Sequence, residues 1–402
     1  MTTWRKLALL LGLYFSQGLP YGFFTQALPT RLRQEGTSLE GVGLASLLAL
    51  PWAAKFLWAP LVDRYGASPL GRRRGWILPL QLATVGLLVG LATISPQEHL
   101  GWIFAVVVAT NLVTATQDIA ADALAVDLLD VRERGVGNGI QVAGYRAGMI
   151  VGGGVLLIAL GRLGWQATFL TMASMVALAT LPTIVYREPA AILRRAEKMA
   201  YGQVFLSFVR RPGMRWWLVA LVGFKAGEAA QTAMLRPWLV DHGFGLADIG
   251  WLLGTVGFSA GLVGALVGGW LCGAIRRQNA LLLCGLAQAL GLSLWIAPAM
   301  GWAASPNLAW LVAAEHLTGG MATAALFTIM MDNSHTESAA SDYTLQASAV
   351  VLGTGMAAAL SGFVAQALGY ARLFGLCASF ALATAFLAAW ASRSGPPAAP
   401  RP

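Results

Sequence analysis

Three polar side chains interrupt an apolar stretch that is long enough to cross a bilayer. Gln117, Asp118 and Asp122 lie well inside the run from Trp102 to Leu129. Asp118 and Asp122 are four residues apart, so a helix places both carboxylates on one face. A carboxylate within a membrane costs about 2.5–3.5 kcal/mol on insertion scales, so it faces a cavity or a partner. The pair predicts a proton or solute pathway; structural pairing with basic residues is the alternative.

Three cations lie inside other apolar runs: Lys55, Arg146 and Lys225. Lys55 can extend its ammonium to the membrane surface or line the pathway. Arg146 follows Gly144 and Tyr145 in a glycine-rich segment suited to close helix packing, and it is the predicted partner of the acids of the fourth helix. Four acids also lie inside apolar runs: Asp118, Asp122, Glu228 and Glu315. If all four face the interior, the three cations leave one carboxylate without a basic partner. Asp118 is the candidate, and Asp122 is the acid expected to pair.

Further pathway candidates lie on three other predicted helices. Lys225 and Glu228 are three residues apart and form either a self-neutralising pair or a cavity lining. Glu315 is expected to point inward, whereas its neighbour His316 is either structural or a proton carrier. The first helix carries a polar and aromatic stripe whose members are spaced three and four residues apart: Tyr14, Gln17 and Tyr21.

A charged motif follows the second predicted helix. It comprises Asp63 and Arg64, then Gly71, Arg72 and Arg73. The motif resembles the signature of the major-facilitator superfamily, and this resemblance implies that the acid at a helix end and the basic cluster together latch the cytoplasmic side between states. We name these five residues the gate motif. A simple excess of positive charge on the cytoplasmic side is the alternative explanation of the arginines, but it does not explain Asp63.

The composition excludes several classes of protein. Of the 402 residues, 57% are hydrophobic and only 11% are charged, whereas soluble domains carry about 25% charged residues. The net charge of +9 is spread over helix ends rather than along one stripe, so no nucleic-acid partner is indicated. The three cysteines lack the spacing of a metal site or a disulfide framework. No nucleotide-binding loop or hydrolase motif appears, so neither a cofactor nor an enzyme is expected.

The apolar runs predict an all-α membrane protein with twelve transmembrane helices in two six-helix halves. The expected organisation is an N-terminal half (1–186), a central loop (187–213), a C-terminal half (214–392) and a disordered tail (393–402). Most of the 27 lysines and arginines fall on the side that holds both termini and the central loop. Positive loops mark the cytoplasm, so both termini are predicted to be cytoplasmic.

Four segments together resemble the AmpG-like permease group of the major facilitators. They are Gln17–Gly22, Lys55–Asp63, Gly71–Trp76 and Gln117–Ala123, and the likeness extends through Glu133–Gly135 and Gly144–Arg146. The group includes muropeptide permeases, acetyl-CoA transporters and single-subunit siderophore importers. The compact length and the Gln-Gly-Leu-Pro-Tyr-Gly opening look most similar to siderophore importers of the pyochelin and rhizobactin type. The basic run departs from the superfamily signature, because residues 67–70 are inserted before it.

This resemblance implies a secondary active transporter of the inner membrane, working by alternating access. The expected partners are a bulky organic solute such as a ferric siderophore, protons and the lipid bilayer; the oligomeric state is left open. A muropeptide permease and an acetyl-CoA-type transporter are the alternatives within the group. A membrane sensor or scaffold with a transporter fold is the alternative from another class.

Overall fold

The computed structural model describes residues 2–27, 50–65, 69–94, 100–189, 201–301 and 307–392. Within these ranges the regular elements are helices and no strand occurs. The helices that matter for the first part of the chain are α1 (Thr3–Gly22), α2 (Leu50–Ala54), α3 (Ala59–Arg64), α4 (Arg74–Thr93), α5 (Leu100–Leu128), α6 (Arg134–Ile150) and α7 (Leu156–Val185). The remaining helices are α8 (Tyr201–Arg210), α9 (Met214–Phe224), α10 (Ala226–Asp241), α11 (Leu246–Ile249), α12 (Phe258–Ala274), α13 (Arg277–Ser293), α14 (Ile296–Ala299), α15 (Leu308–Asp332), α16 (Ala339–Leu368) and α17 (Tyr370–Ala391).

Eight helical segments in the described ranges are long and apolar enough to cross a membrane. The longest, Arg134–Val185, spans α6 and α7, and its backbone leaves helical geometry at Gly164. The predicted fold class, an all-helical membrane protein, is confirmed.

The chain divides into two compact units. The first consists of Met1–Leu129, Gly144–Tyr201 and His335–Thr344, and the second of Asp130–Ala143, Gly202–Ser334 and Leu345–Pro402. The first unit therefore includes the beginning of α16. The second includes the beginning of α6.

Each unit has its own apolar core. In the first unit Leu19, Phe23 and Phe169 are fully buried, and the rings of Phe23 and Phe169 meet edge to face with centroids 5.1 Å apart. In the second unit Trp238 and Trp295 meet in the same way at 5.7 Å. Each core thus fixes the helices that carry its polar side chains.

Two helices are interrupted at a lysine. A short 3-10 turn, Lys55–Leu57, separates α2 from α3. Lys225 separates α9 from α10, with a backbone at φ −104° and ψ −1°. Irregular backbone at membrane depth is tolerated where it is buried in protein or lines a cavity. The interruptions therefore mark both lysines as parts of polar sites.

Helices α1 and α6 approach until their backbones touch. A Cβ atom added at Gly18 would overlap the carbonyl oxygen of Tyr145, and one added at Gly148 would come 2.5 Å from the carbonyl oxygen of Phe15. Small residues allow this spacing in helical membrane proteins. The glycine-rich segment around Arg146 thus serves helix packing, as the sequence indicated.

The central loop contains a helix that the sequence analysis did not anticipate. Helix α8 buries Val204 and Phe208, one turn apart, while Gln203 and Leu206 are exposed. Its sequence reads as a polar, basic loop because the apolar stripe is short. Residues 190–200 of the loop and the predicted tail, 393–402, lie outside the described ranges.

Candidate functional site

A buried charged triad occupies the first unit. Lys55 forms an ion pair with Asp118, and its Nζ lies 3.9 Å from Oδ2 of Asp122. The hydroxyl of Tyr14 donates a hydrogen bond of 2.7 Å to Asp122. All four side chains are buried, so the triad holds two carboxylates and one ammonium away from bulk solvent.

The triad corrects three sequence-based expectations. Lys55 does not extend to the membrane surface, because only 4% of it is exposed. Asp118 does not lack a cation, since Lys55 binds it. Arg146 does not neutralise the acids; it is half-buried and has no ion pair with any described residue. Sequence spacing could not reveal these pairings, because Lys55 is 63 residues before Asp118.

Amide side chains surround the triad. The hydroxyl oxygen of Ser16 accepts hydrogen bonds of 3.3 Å from both Gln81 and Gln117. The predicted pathway residue Gln117 is therefore tied into helix packing. Gln17 is fully buried, and both of its amide atoms lack a hydrogen-bond partner among the described residues.

Three aromatic rings cluster beside Lys55. The ring of Tyr21 contacts those of Trp52 and Tyr145 at centroid distances of 5.5 and 5.8 Å, and Trp52 donates from its indole to Asn111. The Lys55 ammonium lies 5.5 Å from the centroid of Trp52. All three rings are half-buried. The predicted stripe on α1 thus contributes Tyr14 to the triad and Tyr21 to an aromatic wall.

A second charged cluster lies in the second unit. Lys225 forms an ion pair with Glu228 and also donates to Oε1 of Gln288 at 2.8 Å and to the carbonyl oxygen of Gly319 at 3.0 Å. The predicted pairing of Lys225 with Glu228 is confirmed. These two residues also line a cavity of about 460 Å³, so both sequence-based interpretations of the pair apply.

Glu315 accompanies this second cluster. It is 2% exposed and points inward as predicted. It accepts hydrogen bonds from the indole of Trp295 at 2.9 Å and from the hydroxyl of Thr232 at 3.4 Å, and no ion pair to it is found among the described residues. Of the four acids in question, Glu315 rather than Asp118 is therefore the one for which the described residues provide no basic partner. His316 contacts the carbonyl oxygen of Val312 and packs over Gly257, which favours a structural role.

The two clusters have the same charge count. Each contains one lysine at a helix interruption, one carboxylate in an ion pair with it and a further buried carboxylate that accepts a hydrogen bond from an aromatic side chain. In the first unit that further acid is Asp122, with Tyr14; in the second it is Glu315, with Trp295. Burying an uncompensated charge is costly, so each cluster is chemically suited to hold one proton on its further carboxylate.

The gate motif forms a connected network in the first unit. Arg73 donates to Asp63 at 2.9 Å and to Asp127 at 3.0 Å. Burial alone would lower the pKa of Arg73, but the two carboxylates raise it above its usual value. The guanidinium is thus held in its charged form between two helix ends, those of α3 and α5.

Asp63 also binds the first turn of α16. It accepts hydrogen bonds from the backbone of Ala340 at 3.2 Å and from the backbone and hydroxyl of Ser341 at 2.8 and 2.7 Å. A carboxylate at a helix N-terminus satisfies amides that have no partner within the helix. Asp63 therefore joins α3 to the start of α16, 277 residues further along the chain.

Glu188 completes the network, and the sequence analysis missed it. Its carboxylate accepts from the backbone amides of Arg72 and Arg73, each at 2.7 Å, and from that of Arg74. Gly71 has φ +121°, and a Cβ there would lie 2.8 Å from the Glu188 carboxyl carbon. Position 71 therefore requires glycine, both because of its positive φ angle and because the Glu188 carboxylate leaves no room for a side chain.

Two arginines of the gate motif differ in role. Arg72 donates to the carbonyl oxygen of Glu337 at 3.0 Å. Its pKa is lowered mainly by burial and further by the positive charge of the neighbouring Arg73. Arg64 is exposed, and its recorded contact is with the ring of Tyr65, 5.6 Å from the centroid. Among the described residues, no ion pair or hydrogen bond joins Arg64 to Asp63 or to the other arginines of the motif, so its part in the gate stays a prediction.

The second unit contains a related charged cluster that the sequence analysis also missed. Asp332 at the end of α15 binds Arg134 at 2.9 Å and Arg277 at 3.3 Å. Arg277 donates in addition to the carbonyl oxygen of Val131. A signal was present in the sequence, because all three residues are charged and stand next to long apolar runs; in the structure Arg134 and Arg277 each begin a helix and Asp332 ends one.

We expect Asp63→Asn to lower the uptake rate several-fold while the protein remains folded and inserted. The amide keeps the shape but loses the charge that binds Arg73 and α16, and a hydrogen bond to a charged group contributes about 1.5–3 kcal/mol. Initial uptake rates and membrane abundance measure the effect. Arg64→Gln is the matched control, since it removes an exposed charge outside the network. If both variants had the same initial uptake rate, the charges of the gate motif would serve only to orient the protein in the membrane.

The sequence and structure comparisons all match membrane transporters. The Major Facilitator Superfamily model matches residues 10–341. The anhydromuropeptide permease of Escherichia coli K12 is 31% identical over 377 residues, covering 92% of this chain and 76% of the permease. A putative AmpG transporter of Rickettsia felis is 27% identical over 285 residues, covering 68% of this chain and 69% of that protein. The crystal structure of the E. coli fucose:proton symporter has the same fold, with a TM-score of 0.73, 14% identity and coverage of 96% and 99%.

Proposed function

The chain belongs to the Major Facilitator Superfamily, and on that premise we propose that it is a proton-coupled importer of anhydromuropeptides. Members of this family are transporters of small-molecule solutes, and the relatives described above are permeases rather than enzymes. The chain is therefore a multi-pass membrane transporter. The proposal concerns its solute, its energy source and its direction.

The solute is proposed from the relatives. The permease of E. coli shares 31% of its residues over most of this chain, and its name specifies anhydromuropeptides, which are amino sugars joined to a short peptide. The siderophore importers, expected from the sequence as the closest likeness, receive no support from these relatives. The muropeptide alternative accordingly replaces the ferric siderophore as the proposed solute, and acetyl-CoA is not retained.

Proton coupling rests on one observation, the excess of carboxylates over lysines in both buried clusters. Two acids face one lysine in each unit, and the further acid also accepts a hydrogen bond from a neutral aromatic side chain. Such an acid can take up a proton on one side of the membrane and lose it on the other when its surroundings change. Interrupted helices line solute pathways in other transporters, and this supports a pathway role for both lysines.

The orientation and the two halves remain proposals. We propose that residues 1–186 and 214–392 form the two halves, that both termini face the cytoplasm of a bacterial inner membrane and that the gate motif lies on the cytoplasmic side. The distribution of lysine and arginine supports this orientation.

Purified protein in proteoliposomes tests the proposal. With an inward-directed proton gradient, we expect accumulation of labelled anhydromuropeptide above its external concentration, and no accumulation after a protonophore is added. Labelled ferric siderophore is the comparison solute and should stay at equilibrium. Accumulation of the siderophore alone would reverse the choice of solute, and transport of neither would favour the sensor or scaffold alternative.

A further inference from the structure

An open cavity in the second unit lies along one face of α10. It has a volume of about 460 Å³, and its wall includes Lys225, Glu228, Thr232, Arg236 and Thr354. The first four are spaced three, four and four residues apart, so they form a single stripe on one helix face. At 1.5 Å per residue the stripe is about 16 Å long.

The stripe has a cation at each end. Lys225 lies at the helix interruption and is held by Glu228. Arg236 is exposed at the other end, and no ion pair or hydrogen bond to it is found within the described part of the chain. The cavity wall therefore carries two positive charges and one negative charge, and its unpaired charge is a guanidinium, a group whose donors match a carboxylate in pairs.

The polar middle of the stripe leads to Glu315. Thr232 lies between the two cations, and its hydroxyl donates to that buried carboxylate at 3.4 Å. A solute that accepts a hydrogen bond from Thr232 would compete for this donor. Occupation of the cavity thus changes the surroundings of Glu315 without direct contact.

We propose that this cavity binds the carboxylate-bearing peptide portion of the solute, with Arg236 as its principal anchor. This inference rests on the proposed function for the identity of the full solute, but the site itself is defined by charge. One carboxylate binds Arg236, and a second can compete with Glu228 for Lys225. The stripe is long enough for a short extended peptide and has hydroxyl groups, from Thr232 and Thr354, for its polar backbone.

Two variants of exposed arginines test the site. Arg236→Gln should raise the KM for anhydromuropeptide by about tenfold or more with little change in maximal rate, because a charge-assisted hydrogen bond is lost. Arg236→Lys should recover part of the affinity. Arg372→Gln, which removes an exposed arginine of α17, is the matched control and should leave the KM unchanged. Equal KM values for wild type and Arg236→Gln would overturn the proposal.

A binding measurement separates this inference from the proposed function. The dipeptide alanyl-glutamate should raise the unfolding temperature of the purified transporter, whereas its diamide, which lacks both carboxylates, should not. The shift should disappear in Arg236→Gln and persist in Arg372→Gln. No shift in the wild type, or the same shift in Arg236→Gln, would contradict the anion site. A normal dipeptide shift in a protein that fails to take up anhydromuropeptide would refute only the proposed function.

Discussion

Glu315→Gln is expected to lower solute accumulation driven by a pH gradient by about tenfold or more per pH unit while leaving solute exchange intact. Glutamine imitates the protonated acid in shape and keeps the contacts with Trp295 and Thr232, but it cannot release a proton. One pH unit corresponds to about 1.4 kcal/mol for each proton, which is about a tenfold accumulation. Loss of one proton should therefore lower the accumulation ratio by at least about tenfold per pH unit.

Proteoliposomes with an imposed gradient measure the accumulation ratio, and preloaded vesicles without a gradient measure exchange. His316→Gln is the control on the neighbouring position, and it should accumulate solute because His316 has a packing role. Glu315→Asp keeps an ionisable group and should retain part of the accumulation. Full accumulation by Glu315→Gln would remove Glu315 from the proton pathway. Accumulation lost in His316→Gln alone would move the proton to the histidine.

Lys55→Met is expected to cost about 3–5 kcal/mol of folding free energy, because it leaves the buried carboxylate of Asp118 without its cation. The expected observation is a steep fall in the unfolding temperature of the purified protein or in its membrane abundance. The buried pair is protected from solvent: the side chains of Lys55 and Asp118 are only 5% and 9% exposed. Water therefore cannot replace the missing ammonium.

A compensating change separates charge from packing in this result. Lys55→Met combined with Asp118→Asn removes the ion pair as a whole, so folding should largely recover while proton-driven uptake stays impaired. Lys225→Met is the matched single variant in the second unit. Its effect should be smaller, because Lys225 and Glu228 are 10% and 19% exposed at the cavity. Equal losses for both lysines, or no recovery in the double variant, would contradict an electrostatic cause.

The sequence predicted what a single helix determines. Asp118 and Asp122 share a face because four residues make about one helical turn, and the same reasoning paired Lys225 with Glu228. Helix geometry alone fixes both results. The inward position of Glu315 and the membership of Asp63 in a charged network were also predicted, from apolar surroundings and from a motif, respectively.

What the sequence could not supply were the contacts between helices. Lys55 contacts Asp118 at an interruption between α2 and α3. The hydrophobic periodicity of the sequence does not indicate the direction in which the chain turns at such an interruption. Glu188 binds backbone amides of the gate motif, which have no residue-specific signal. The choice of Asp118 as the unpaired acid failed for the same reason: a count of charges over the whole chain does not tell which unit contains each cation.

The contact between α1 and α6 limits how this protein can move. Gly18 and Gly148 leave no room for even a Cβ atom between the two backbones, so the helices pack tightly at this contact. This tightly packed helix pair carries three tyrosines of the polar site: Tyr14 and Tyr21 on α1 and Tyr145 on α6. An opening of the first unit's polar site that preserves this contact would therefore have to move α1 and α6 together.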